Sequence, residues 1–118
     1  MREMSKPIFT THYQRWQKRP YYVPDRLPVL PAELALRKTT VPLRLNGHLA
    51  DRGRVFDLAD LHERGEVYAD VIVEGEAADI LAYIDGASLV EIWDTHLILP
   101  WDVAAVWKPL IDDWRENN

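Results

Sequence analysis

The chain has no cysteine, which excludes disulfides, thiolate metal sites and cysteine nucleophiles. It has no apolar run near the roughly 18 residues that a membrane span needs. Its opening, MREMSKPIF, lacks a signal-peptide core, so the expectation is a cytoplasmic protein without membrane association. Glycine is scarce: the five residues, at 47, 53, 65, 75 and 86, build no GxGxxG, P-loop or GxSxG motif, and HExxH is missing as well. Turns and helix ends account for four of them. Gly65 falls inside a helical pattern, where it costs about 1 kcal/mol and implies a neighbouring element packed close. There is no positive excess either. A net charge of −5 makes the whole molecule a poor match to nucleic acid or an anionic membrane. What is present, 118 residues with 47% apolar and 28% charged, suits one globular domain with a single core.

The net charge conceals a division. Residues 1–44 hold nine Lys/Arg against three acids, so that segment is +6 and residues 45–118 are −11. Five of the eight prolines fall within the first 31 residues. The expected organisation is a basic, aromatic and proline-rich arm, residues 1–38, packed on an α+β body, residues 39–118. Tyr21, Tyr22, Val23, Leu27 and Leu30 make the arm too apolar to stay solvated.

Along the chain, residues 10–18 suggest a short helix and residues 31–37 one helical turn opened by Pro31. Residues 39–46 alternate as a half-buried strand, placed at an edge by Pro42, which cannot donate to a ladder. Val55 and Phe56 supply its hairpin partner. Asp57 is the expected N-cap of a helix through Leu61, Tyr68 and Ile72 that stops at Gly75. A second helix carries Ile80 and Ile84 and ends at Gly86. A third starts from Ser88 and Glu91 at capping-box spacing. After an apolar connector, His96–Pro100, a terminal helix follows Val103, Trp107, Leu110, Ile111 and Trp114, with a kink or break expected at Pro109. The fold class is therefore α+β: one small β-hairpin with several short helices around a single core, preceded by the basic arm.

Chemistry is thin. His62 and Glu66, four apart on a helix, can share a metal, but a site needs three or four ligands, so a solvated helix face is the simpler reading. Asp94, His96 and Asp102 form a second sparse group that reads as helix-end residues, with Asp102 capping the terminal helix. No catalytic residue, metal site or cofactor is assigned, and the chain is read as no enzyme. Two features stay unusual. In His12–Tyr22 (HYQRWQKRPYY), cations and aromatics interleave as in a nucleic-acid binder, with Arg15, Lys18 and Arg19 for phosphates and Tyr13 and Trp16 for stacking. Packing of that stretch against the acidic body is the favoured explanation. Four tryptophans, Trp93, Trp101, Trp107 and Trp114, crowd the C-terminal region. Trp93 and Trp107 suit a core, while Trp101 and Trp114, near element ends, suit a partner contact.

The body resembles a group of small, uncharacterised actinobacterial proteins. The likeness rests on Phe56-Asp57-Leu58, the Tyr68–Gly75 helix ending, Tyr83-Ile84, Leu89, Ile92-Trp93, Leu99-Pro100 and Trp107, and covers residues 41–111. Asn46-Gly47-His48 departs from the pattern, and the basic arm lies outside it. Members are loosely labelled transcriptional regulators, some encoded beside nucleotidyltransferase-like toxins. The resemblance implies a non-enzymatic, protein-binding regulator, antitoxin-like, that neutralises a nearby-encoded toxin or enzyme. Expected contacts are Trp101, Trp114 and Tyr22, with Asp112 and Asp113 on the rim. The alternatives are a nucleic-acid-binding transcriptional regulator using Tyr13, Arg15, Trp16, Lys18 and Arg19, and a phage or mobile-element accessory inhibitor. Oligomeric state is left open.

Overall fold

The structure is a computed structural model and describes residues 6–14, 20–42, 45 and 53–118. Its architecture is mixed α+β, with two small antiparallel hairpins and five helices. Strands β1 (Phe9–Tyr13) and β2 (Pro20–Pro24) pair from Phe9↔Pro24 to Tyr13↔Pro20. Residues 10–13 are thus strand, where a helix was expected. β-Branched and aromatic residues favour extended chain, and β2 alternates so that Tyr21 and Val23 enter the core while Tyr22 is half-buried. Arg15, Trp16, Lys18 and Arg19 lie outside the described residues, as does the rest of that expected helix.

Helix α1 (Ala32–Ala35) is the single turn expected after Pro31. Strands β3 (Lys38–Thr39) and β4 (Phe56–Asp57) form the second hairpin, shorter than the alternation over 39–46 suggests. Pro42 is not in an edge strand. Its carbonyl accepts from the Leu45 N–H at 2.9 Å, and Leu45 is fully buried.

Helix α2 (Leu61–Glu74) begins later than expected because Asp60, not Asp57, is its N-cap. One Asp60 carboxylate oxygen accepts from the N–H groups of His62 (2.9 Å) and Glu63 (3.0 Å), an arrangement worth about 1 kcal/mol. Asp57 stays in β4, where its side chain accepts from the Ala59 N–H at 3.0 Å. Gly75 ends α2 as expected.

Helix α3 (Ala77–Tyr83) ends at Ile84, and Gly86 starts α4 (Gly86–Ile92) instead of closing α3. The α4 cap is Asp85, which accepts from both the backbone N–H (3.1 Å) and hydroxyl (2.8 Å) of Ser88. Ser88 is therefore the capped residue, not the cap, and Glu91 is free for another role. Helix α5 (Trp101–Asn117) runs unbroken across Pro109. Pro100, whose φ of −53° and ψ of 142° are non-helical, occupies the cap position expected for Asp102, and Asp102 lies in the first turn.

One hydrophobic cluster joins these elements, drawing Tyr21, Val23 and Leu27 together with Phe56, Tyr68, Ile72, Ile92, Trp107 and Ile111. Trp107 is fully buried and its indole N–H finds no acceptor among the described residues, a cost outweighed by the area of the ring. Residues 27–30 lie across the junction of α3 and α4. The Gly86 N–H donates to the Pro28 carbonyl at 2.7 Å, and the Leu30 N–H donates to an Asp85 carboxylate oxygen at 2.9 Å. Gly86 is needed there: a Cβ would meet Trp114 at 2.8 Å and both Leu27 and Pro28 at 3.0 Å.

Tyr68 is fully buried and its hydroxyl oxygen accepts from the Asp85 N–H at 3.1 Å. Burial, reinforced by the Asp85 charge and partly offset by hydrogen bonds and Arg64, raises its phenol above the ordinary 10.0. A raised pKa in the folded state means that the unfolded chain loses this proton first as pH rises. The stability it confers is whole below pH about 10 and is lost as pH climbs towards the folded value. Urea midpoints measured from about pH 9 to 11 should fall, and Tyr68→Phe should flatten the fall while lowering the neutral-pH midpoint. An equally steep fall in the variant would show that other groups set the alkaline limit.

Candidate docking surface

The connector between α4 and α5 contains three consecutive apolar residues, Leu97, Ile98 and Leu99, outside any helix or strand. Leu97 and Leu99 pack against the core, while Ile98 between them faces outward and is 88% exposed.

Both ends of the connector are fixed. At its start, the N–H groups of Thr95 and His96 donate to the Ile92 carbonyl at 3.2 and 3.0 Å. There the His96 backbone lies against Gly65 of α2, so closely that a Cβ on residue 65 would collide with the His96 carbonyl oxygen. This is the close neighbour that a mid-helix glycine implies. At the other end, the Ala104 N–H donates to the Pro100 carbonyl at 2.9 Å. Trp101 opens α5 away from the buried stripe of Val103, Trp107 and Ile111, and is 77% exposed. Two large apolar side chains are thus presented from a fixed backbone.

A shallow cleft lies on each side of Ile98. One, of about 290 Å³, is lined by Trp93, Leu97, Leu99 and Ala104. The other, of about 300 Å³, is lined by His62, Gly65, Glu66, Thr95 and His96. His62 Nε2 lies 3.4 Å and Arg54 3.9 Å from the same Glu66 oxygen. Among the described residues, no group of three or more His, Cys, Asp or Glu side chains is placed to hold a metal ion.

The charge around this surface is one-sided in sequence. Residues 65–107 contain nine acids and no lysine or arginine. From outside the stretch, Arg64 pairs with Glu91 (2.7 Å), Arg115 with Asp94 (2.7 Å), and Arg54 approaches Glu66. In the sequence HLILP reads only as an apolar connector, and of the two residues Trp101 alone stands out as a contact candidate.

The five expected partner residues do not form one patch. Trp101 and Trp114 sit at opposite ends of α5, about 20 Å apart along its axis. Trp114 is half-buried against Gly86 and, with Asp113, lines a separate groove of about 610 Å³ shared with Lys6, Leu27, Leu30 and Leu110. Asp112 pairs with Lys108 at 2.8 Å on the exposed face of α5. Tyr22 packs at the edge of the core. Trp93 is half-buried against the core and Trp107 is inside it. Of the basic–aromatic stretch, Tyr13 is described and stands exposed at the end of β1.

Among the described residues, no helix is long and apolar enough to cross a membrane. Against protein-family models, curated proteins and solved structures the chain has no match, so its functional reading rests on this surface.

Proposed function

We propose that the chain is a non-enzymatic, protein-binding regulator of the cytoplasm that works like an antitoxin, capturing a toxin or enzyme encoded nearby. The observation that supports this reading is the pair Ile98 and Trp101, exposed and held on a backbone fixed at both ends. Exposed aromatic and aliphatic anchors on a rigid frame are what binding hot spots require, because little side-chain or loop entropy is lost on docking. The resemblance to actinobacterial regulators encoded beside toxins points the same way.

Ile98→Asp and Trp101→Ser should leave the unfolding free energy within about 0.5 kcal/mol of the parent, since neither side chain contributes to the core. Recovery of a protein partner in a native pull-down should fall at least tenfold with either variant, and nuclease treatment should not change it. Undiminished recovery with both variants would remove this surface from the function. Recovery that depends on intact nucleic acid would transfer the function to the basic stretch that Tyr13 begins.

A further inference from the structure

We infer that the Ile98 surface takes a partner segment bearing an apolar anchor and, at a fixed spacing, a lysine or arginine, seated astride Ile98 with one group in each cleft. This inference rests on the docking reading above and specifies its partner.

The two clefts share Ile98 as their common wall but differ in chemistry. The first is lined by Trp93, Leu97, Leu99 and Ala104 beside Ile98 and favours an apolar side chain, since the Trp93 indole N–H is the one polar side-chain group in its lining. The second contains Glu66. That carboxylate is half-buried, and its cationic neighbours stand at 3.4 and 3.9 Å, too far for a direct hydrogen bond. No donor among the described residues hydrogen-bonds to it. A lysine or arginine entering the cleft would therefore find an acceptor with open lone pairs in a partly desolvated setting, where a charge-assisted bond is strongest.

Charge selects among occupants. A second copy docked symmetrically through this surface would set the acidic stretch against itself, and juxtaposed like charges oppose association. The 43 residues from 65 to 107 without one lysine or arginine instead complement a cationic partner. The fixed connector holds the two clefts in one relation, which is why the spacing between anchor and cation should be constant.

The test is selection of a random 12-residue peptide library on the intact protein, with sequences that also bind Ile98→Asp discarded. Selected peptides should share one large apolar residue and a Lys or Arg at a constant separation. Binding of the best peptide should weaken about tenfold in Glu66→Gln, and as much when its cation is changed to glutamine. Peptides enriched in apolar residues without a cation, or bound equally by Glu66→Gln, would overturn the two-cleft inference and leave the docking surface standing. A selection yielding no peptide that depends on Ile98 would overturn both. Circular dichroism of each variant, expected to match the parent, separates lost binding from lost folding.

Discussion

Arg64→Met is expected to cost roughly 3 kcal/mol of stability and to lower the thermal midpoint by on the order of 10 °C. Arg64 is 2% exposed, yet it carries a full charge. Its Nε donates to the Leu58 carbonyl at 2.8 Å, and one terminal nitrogen donates to the Ser88 carbonyl at 3.1 Å and to Glu91 at 2.7 Å. Three elements are joined by this one side chain: the segment entering α2, α2 itself, and α4. Methionine fills much of the same space but leaves both carbonyls without this donor. The ion pair is the lesser part, because the Glu91 side chain is 59% exposed and water can solvate it. Glu91→Gln should therefore cost under about 1 kcal/mol. Thermal and urea unfolding of the two variants would check this, and a larger loss from Glu91→Gln than from Arg64→Met would reverse the assignment.

Gly65→Ala should destabilise by a similar amount, about 3 kcal/mol, although the same change in an ordinary helix interior is worth about 1 kcal/mol in the opposite direction. The added methyl would occupy the place of the His96 carbonyl oxygen. A backbone atom cannot turn aside as a side chain can, so the connector or α2 must shift. The damage should reach beyond stability. His96 is one of the two points that hold Ile98 outward, and a displaced connector would weaken partner capture even at temperatures where the variant is fully folded. A stabilised or unchanged Gly65→Ala would show that the two backbones are less tightly apposed than the structure has them.

The strongest periodic signals were readable in advance. Val103, Trp107 and Ile111 recur every four residues and mark the buried face of α5, and Tyr68 and Ile72 do the same for α2. Gly65 announced its neighbour because a mid-helix glycine needs a reason. Helix starts were misplaced by three residues where two carboxylates competed. Asp57 and Asp60 are both good caps, and the choice of Asp60 came with Asp57 pairing to Lys38 in the second hairpin, one position beyond the expected Val55–Phe56 strand. The β1–β2 hairpin was hidden for a different reason: five-residue strands carry too few alternations to outweigh a helix-like aromatic spacing. Arg64 stands three after Leu61 and four before Tyr68, on the apolar stripe itself, but a charged residue type gives no sign that the position is buried. For the candidate surface, a position near a helix end was enough to suggest Trp101. Ile98 required knowing that its neighbours turn inward, which is a tertiary fact.

The seating of residues 27–30 on Gly86 and Asp85 sets a condition on biosynthesis. These residues leave the ribosome early, but the groups that receive them are encoded more than 50 positions later: Leu30 and Asp85 are 55 apart, and Trp114 is further still. At roughly 5–20 residues per second, several seconds pass in which Tyr21, Val23 and Leu27 have no core to enter. The decisive step in folding of this domain therefore waits until residues 85–114 have been made, and loop-closure entropy must be met before these distant contacts reward it. The nascent N-terminal segment is the part of the chain for which a chaperone would have the most to do.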